Sequence, residues 1–326
     1  MSSYIYVAYI VLGLSACSAN SALIWIILRN RNFITISNVI VVSLSASDFM
    51  LAAIVSPMEM IHYLLPNFQV EGYGCVAHQV LMIFVPLVSI FHLLLVAVER
   101  FIKIVYPLHY QGIATRSRTA CLVIFAWGFP FSLCMVPFMT YNKNMDSNRS
   151  DTGCSTLDLL PCPYLYSVLS IIAVICIVMA VLYSKIIAIA CRHAREIRQL
   201  AIPKPRNAKL VRSSELRALT VLLMTMVYFV FSWTPFSFAI VEECIVGFTP
   251  NYYTTAVFIA YFNSTVNPLI YGIGNRELRK SLVDTCCRRK NYRTLPPKNS
   301  RTTWPEPPEM TKYTSCKPGH NQNETN

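Results

Sequence analysis

Charge is what this chain has least of. Of its 326 residues 13% are Asp, Glu, Lys or Arg, against about a quarter in soluble domains, while 54% are hydrophobic. That shortage excludes a soluble globular domain and makes lipid the solvent to consider. No basic segment precedes the first apolar run, which begins almost at Met1 and is long enough to span, so it reads as a retained helix and not a cleaved signal peptide. With about three residues ahead of that run, no large ectodomain is expected there. Neither an internal repeat nor a second broken helix of the inverted-repeat kind is visible, which argues against a transporter or ion channel. That class remains the contrasting reading, because Asp48 with Asn263 and Asn267 can also mark an ion path.

What is present is a series of apolar runs of about 20 residues: 4 to 28, 37 to 62, 76 to 98, 119 to 140, 164 to 190, 218 to 242 and 252 to 273. These predict an all-α membrane protein, a bundle of seven transmembrane helices. Basic residues are nearly missing from one side of it, where only Lys143 and Arg149 stand, the other 26 of the 28 falling on the opposite side. The basic side is expected to be cytoplasmic, with the N-terminus outside and the C-terminus inside a multi-pass protein. The net charge of +12 is thereby accounted for at the membrane ends, and no nucleic-acid partner is expected. Arg192, Arg195 and Arg198 at helical spacing predict that the fifth helix continues beyond the bilayer until Pro203 and Pro205. Asn275 to Leu282 alternates basic and apolar positions and ends at Cys286 and Cys287, which predicts a short amphipathic interfacial helix over about 274–287 carrying two palmitoylation candidates. Residues 1–287 then form one domain, and 288–326 a disordered cytoplasmic tail.

Among the twelve cysteines, Cys75 and Cys154 fall in or beside outer loops, where a disulfide persists. They are the preferred pair, although Cys162 and Cys244 also lie near that face. Asn148 is the glycosylation acceptor within reach on the outer side.

Several polar groups sit where lipid penalises them. Asp48 falls near mid-membrane in the second run, and an unpaired charge there costs at least about 2.5 kcal/mol. Asn20, Ser89, Asn263, Ser264 and Asn267 lie at similar depth. A carboxylate ringed by hydroxyl and amide oxygens is a candidate Na⁺ site, the alternative being a water-filled polar cluster; no other cofactor is expected. At the inner end of the third run, Arg100 has Glu99 beside it and Glu215 on the sixth, two ionic partners for a pairing that breaks when helices separate. The sixth run joins Trp233 to a proline in Phe229-Val230-Phe231-Ser232-Trp233-Thr234-Pro235-Phe236, and the seventh ends in Asn267-Pro268-Leu269-Ile270-Tyr271.

Taken together with Asp48, Cys75, Glu99-Arg100-Phe101 and Trp127, these motifs resemble the rhodopsin-like G-protein-coupled receptors over nearly the whole chain, from about Tyr4 to Cys287. The resemblance implies a plasma-membrane receptor, not an enzyme. Its partners would be an extracellular small-molecule or peptide ligand, a heterotrimeric G protein and arrestin. Arg100 would be the switch arginine, Trp233 the toggle at the pocket floor, and Tyr183 and Tyr271 the tyrosines that swing inward on activation. Ile90 and Phe229 match two members of the connector triad; Ile175 stands where the third, a proline, is usual. The outer-loop pattern from Cys154 to Tyr164 resembles adenosine receptors, and the missing fifth-helix proline resembles the melanocortin and cannabinoid group. Met82 stands where amine receptors carry an aspartate, and Tyr261 where opsins carry lysine.

The ligand pocket expected from this placement is lined by Met58, Glu59, Met82, Ile83, Pro86, Trp233, Phe236, Ser237, Ile240, Val257 and Tyr261, mostly apolar with Glu59 as its lone carboxylate. Acids at Glu59, Glu71, Asp146, Asp151, Asp158, Glu242 and Glu243 against two basic residues favour a cationic amine or a basic peptide. A merely solvated acidic rim, and a constitutively active receptor without a natural ligand, are the competing readings.

Overall fold

The computed structural model describes residues 3–64, 73–140, 160–199, 206–247 and 251–274. Among these no strand occurs, and seven long helical stretches follow one another. The first is α1 (Ser3–Arg29). The second is built of α2 (Ile36–Met50), a π-helical turn (Leu51–Val55) and α3 (Ser56–Leu64) in direct succession. Then come α4 (Tyr73–Val105), the short α5 (Tyr110–Ile113), α6 (Arg116–Thr140), α7 (Cys162–Gln199), α8 (Arg206–Val246) and α9 (Tyr253–Gly274).

Local chemistry sets the ends. Thr35 caps α2, its side chain accepting from the Asn38 N–H. Pro107 disfavours helical backbone at Tyr106, and α4 stops at Val105. Gly247, with φ 84°, closes α8 by donating its N–H to the Glu243 carbonyl at 2.8 Å. The π turn follows from Pro57, which has no N–H to return to Ala53; the Ser56 N–H reaches instead to the Leu51 carbonyl, five residues back.

Six of the helices are apolar and long enough to cross a membrane by composition among the described residues. The seventh, α9, matches them in length at 22 residues but carries Asn263, Ser264, Asn267 and Pro268 in its inner half. Pro86, Pro235 and Pro268 all lie inside continuous helices. The axle of the bundle is α4, which buries 18 side chains where α6 buries five. Around it α1, α2, α7, α8 and α9 contribute Ile27, Leu44, Met179, Ile186, Phe229 and Val257 to one continuous core.

Candidate functional site

Asp48 is 1% exposed, enclosed by α4 and α9. Its Oδ1 accepts from Ser264 Oγ at 3.1 Å and its Oδ2 from Asn267 Nδ2 at 2.9 Å. Ser89 is a further hydrogen-bond partner of the carboxylate, and its Oγ lies 3.1 Å from that of Ser47. Asn20 completes the cluster through backbone chemistry. Pro268 has no N–H to give the Ser264 carbonyl four residues back, and Asn20 Nδ2 supplies the missing donor at 2.9 Å. Three buried amide oxygens, the Oδ1 atoms of Asn20, Asn263 and Asn267, have no hydrogen-bond partner. Amide lone pairs are thus left over around the carboxylate.

At the other end of α4, the Glu99 carboxylate ties three elements together. Its Oε2 lies 3.3 Å from Arg100 Nε, while Oε1 accepts from Ser37 Oγ at 2.8 Å and from the Tyr110 hydroxyl. Burial, and then the hydrogen bond to Glu99, push the Tyr110 phenol up from its ordinary range, so it stays a donor at physiological pH. Tyr183 and Tyr271 are both buried and lie within electrostatic reach of Arg100. Tyr271 is also within reach of Asp48, which places one hydroxyl between the two polar clusters.

In the outer half, Glu59 of α3 and His78 of α4 face each other with Oε2 and Nε2 2.9 Å apart, both buried. Met82 sulfur accepts from the Tyr261 hydroxyl at 2.7 Å. Trp233 is packed between Phe229 and Phe236, with ring centroids 6.1 and 5.8 Å away, and its indole Nε1 has no partner. Ser237 spends its hydroxyl on the Trp233 carbonyl at 2.9 Å. Ile240 packs with Leu160 and Leu165, against Ile83 and Phe236. Pro86 and Val257 are buried in the same half. The arrangement can recognise and transmit.

Residues 19–271 match the family model of the seven-transmembrane receptors of the rhodopsin family. The chain belongs to that family. It is 24% identical over 299 residues to the adenosine receptor A2a of Equus caballus, covering 86% of this chain and 71% of that receptor. Over 262 residues it is 28% identical to the trace amine-associated receptor 4 of Rattus norvegicus, covering 76% and 74%. With trace amine-associated receptor 13c of Danio rerio the identity is 29% over 277 residues, covering 81% and 80%. The receptor is thus a multi-pass plasma-membrane protein that transduces extracellular ligand binding to a G protein, and it is not an enzyme.

The receptor departs from the sequence reading in its outer half. Glu59, with His78 beside it, and Glu243 are buried, at 4% and 2% exposure, so neither is a rim charge. Glu242 does face outward and accepts from Tyr252. Cys162 and Cys244 form a disulfide between α7 and α8, with Cα atoms 5.8 Å apart. Cys75 is also disulfide-bonded; Cys154 lies outside the described residues. So do Glu71, Asn148, Asp146, Asp151, Asp158, Cys286, Cys287, the side chain of Glu215, the interfacial helix beyond Gly274 and the tail 288–326. Asn263 is buried beside the cluster, but no hydrogen bond joins it to Asp48.

Sequence reasoning missed His78, Ser37, Tyr110 and, most of all, His92. That histidine is fully buried, with Nδ1 2.7 Å from the Val88 carbonyl and Nε2 2.7 Å from Ser43 Oγ, which also accepts from Trp127 Nε1 at 2.9 Å. A neutral ring protonated at Nδ1 satisfies every member in one direction, Trp127 to Ser43 to His92 and His92 to Val88. The signal for it was present in the sequence as a histidine inside a strongly apolar run.

Proposed function

We propose that this receptor responds to a cationic amine or basic peptide that enters at the Glu59 end and settles above Trp233. The buried carboxylate of Glu59, with His78 Nε2 2.9 Å away, carries this reading: a carboxylate inside the bundle is retained only with compensation, and a ligand cation supplies it. Amine recognition is the relatives' theme in the trace amine-associated receptors. With Met82 in place of an acid on α4, the anchor is Glu59 on α3. The Met82 and Tyr261 pair and the Trp233 indole N–H complete the pocket floor.

Ligand binding shifts an existing equilibrium toward a state in which Arg100 leaves Glu99 and, on α8, Glu215, and the inner ends of the helices part for a G protein and then arrestin. In this orientation the N-terminus is outside and the C-terminus inside. The residues around Asp48 fit a sodium ion, held by Asp48, Ser89, Ser264, Asn267 and Asn263 with their unspent oxygens. A bound sodium ion supplies one positive charge that offsets Asp48 in the inactive state.

The deciding experiment is a screen of nucleosides, amines, lipids and basic peptides read by G-protein dissociation, with Glu59→Gln tested on each hit. An amine or basic peptide whose potency falls at least about tenfold in that variant supports the reading. A nucleoside hit indifferent to Glu59→Gln overturns it, as does full nucleotide exchange without any added ligand.

A further inference from the structure

On the outer surface of the bundle, where α1 meets α2, an open trough of about 600 Å³ is lined by Ser21, Ile24, Trp25, Leu28, Arg29 and Phe49. The α1 members recur at three- and four-residue spacing and so share one face. That face is exposed: Trp25 and Leu28 are 45% and 56% accessible.

Both the depth and the polarity of the trough are asymmetric. From Ser21 to Arg29 is eight residues, about 12 Å along a helix, close to half of a ~30 Å hydrocarbon core. Phe49 at the deep end follows Asp48, the carboxylate of the internal cluster. The shallow end lies level with the Glu99 and Arg100 pair, because Ser37, just past the turn that joins α1 to α2, bonds Glu99. At this end the Arg29 guanidinium sits 4.9 Å from the centroid of the Trp25 ring. The indole holds the cation back over the head of the trough and uses none of its N–H donors as a hydrogen-bond acceptor. Among the described residues no carboxylate is ion-paired with it.

We propose that this trough is a binding site for an anionic phospholipid of the G-protein-facing leaflet. Its phosphate or serine carboxylate meets Arg29, and one acyl chain lies along Trp25, Leu28 and Ile24 and ends against Phe49 and Ser21. A head of one negative charge on an apolar body one leaflet long matches both the fixed cation and the depth. A sterol matches the depth but brings a neutral hydroxyl to a guanidinium. The occupant bridges α1 and α2 directly behind Asn20 and Asp48, the chain neighbours of Ser21 and Phe49, and so clamps the two helices that support the internal polar cluster.

Native mass spectrometry of the full-length receptor, titrated separately with phosphatidylserine, phosphatidylcholine and cholesterol, tests the site. One phosphatidylserine is expected to bind ahead of phosphatidylcholine, with affinity falling about fivefold in Arg29→Gln and unchanged in Arg31→Gln, which alters a charge outside the trough. Trp25→Ala is expected to weaken it as well, and melting in nanodiscs is expected to rise with phosphatidylserine for the wild type but not for Arg29→Gln. Should Arg29→Gln fail to fold, Arg29→Lys keeps the charge, loses the fork and the stacking, and is expected to bind more weakly than wild type. Equal binding of the two phospholipids, full retention of phosphatidylserine by the folded Arg29 variant, or preferential saturation by cholesterol each overturns the proposal.

Discussion

Ser43 carries one hydroxyl proton and serves two neighbours. It receives from Trp127 and gives to His92, and through it α6, which buries only five side chains, is joined to α2 and α4. Replacing it by alanine strands an indole N–H and an imidazole nitrogen together, so Ser43→Ala is expected to lower the thermal midpoint of purified receptor by an amount equivalent to about 1–2 kcal/mol. Ser43→Thr, which keeps the hydroxyl, is expected to restore most of it. At the inner end, Glu99→Gln removes the charge that Arg100, Ser37 and Tyr110 share. Basal nucleotide exchange on added G protein is expected to rise several-fold, and no change in it would remove Glu99 from the switch. Asp48, Arg100 and Trp233 were legible in the sequence because a charge or an indole beside proline is costly or conspicuous in an apolar run. Ser37, Tyr110 and the partner of His92 were not, since each pairing joins separate elements, 62 positions apart for Ser37 and Glu99, 11 for Tyr110 and Glu99 and 49 for His92 and Ser43. No local period reports such a pairing.

The second helix shows what one residue does to an element. A π turn holds one more residue than an α turn, so everything beyond it is rotated by about 100° relative to an unbroken helix. Glu59 reaches His78 only with that rotation in place. Deleting Ala53, which converts the turn to α register, is expected to abolish the ligand response while leaving the Asp48 cluster assembled; sodium-sensitive thermal stability of the purified variant is the readout that separates the two. A second element-level tie is the bridge between Cys162 and Cys244, which holds the outer ends of α7 and α8 together. The Cys162→Ser and Cys244→Ser double variant is expected to melt earlier and to release ligand faster, as dissociation kinetics will show. The element boundaries themselves were largely readable: the second run, 37 to 62, became Ile36–Leu64 with the π turn inside it, and the fifth helix does run on to Gln199 as the arginine spacing indicated. The π turn escaped because apolar periodicity is blurred in a helix buried on several sides, although Pro57 was its cause.

At the scale of the molecule, six helices among the described residues are apolar and long enough to cross a membrane, while the seventh run of the sequence, 252 to 273, forms α9, whose polar groups lower its hydropathy. The same residues are why one face of α9, with Asn263, Ser264 and Asn267, is turned into the bundle while Leu269 faces outward. Signalling through the assembled bundle is expected to depend on Arg100: Arg100→Ala is expected to cut ligand-driven nucleotide exchange to near background with surface expression preserved. Reconstituted protein is expected to carry no substrate flux or voltage-dependent current, and a robust current would favour the channel reading. The orientation, ligand chemistry and sodium site proposed above all rest on where charge sits, and charge in an apolar chain is conspicuous, which is why the class was plain from the sequence while Glu59's histidine partner was not.

The amide of Asn20 has two hydrogens to place. One is met within the first helix, at the Ala16 carbonyl, and the other only by the Ser264 carbonyl, 244 residues later. During synthesis, therefore, the first helix enters the bilayer with a donor that stays unmatched until the last helix arrives, and the carbonyl it waits for is open because Pro268 cannot fill it. Arrival of α9 is registered as a hydrogen bond in the first helix, so a receptor cut short before α9 is left with an unmatched amide donor in its first span.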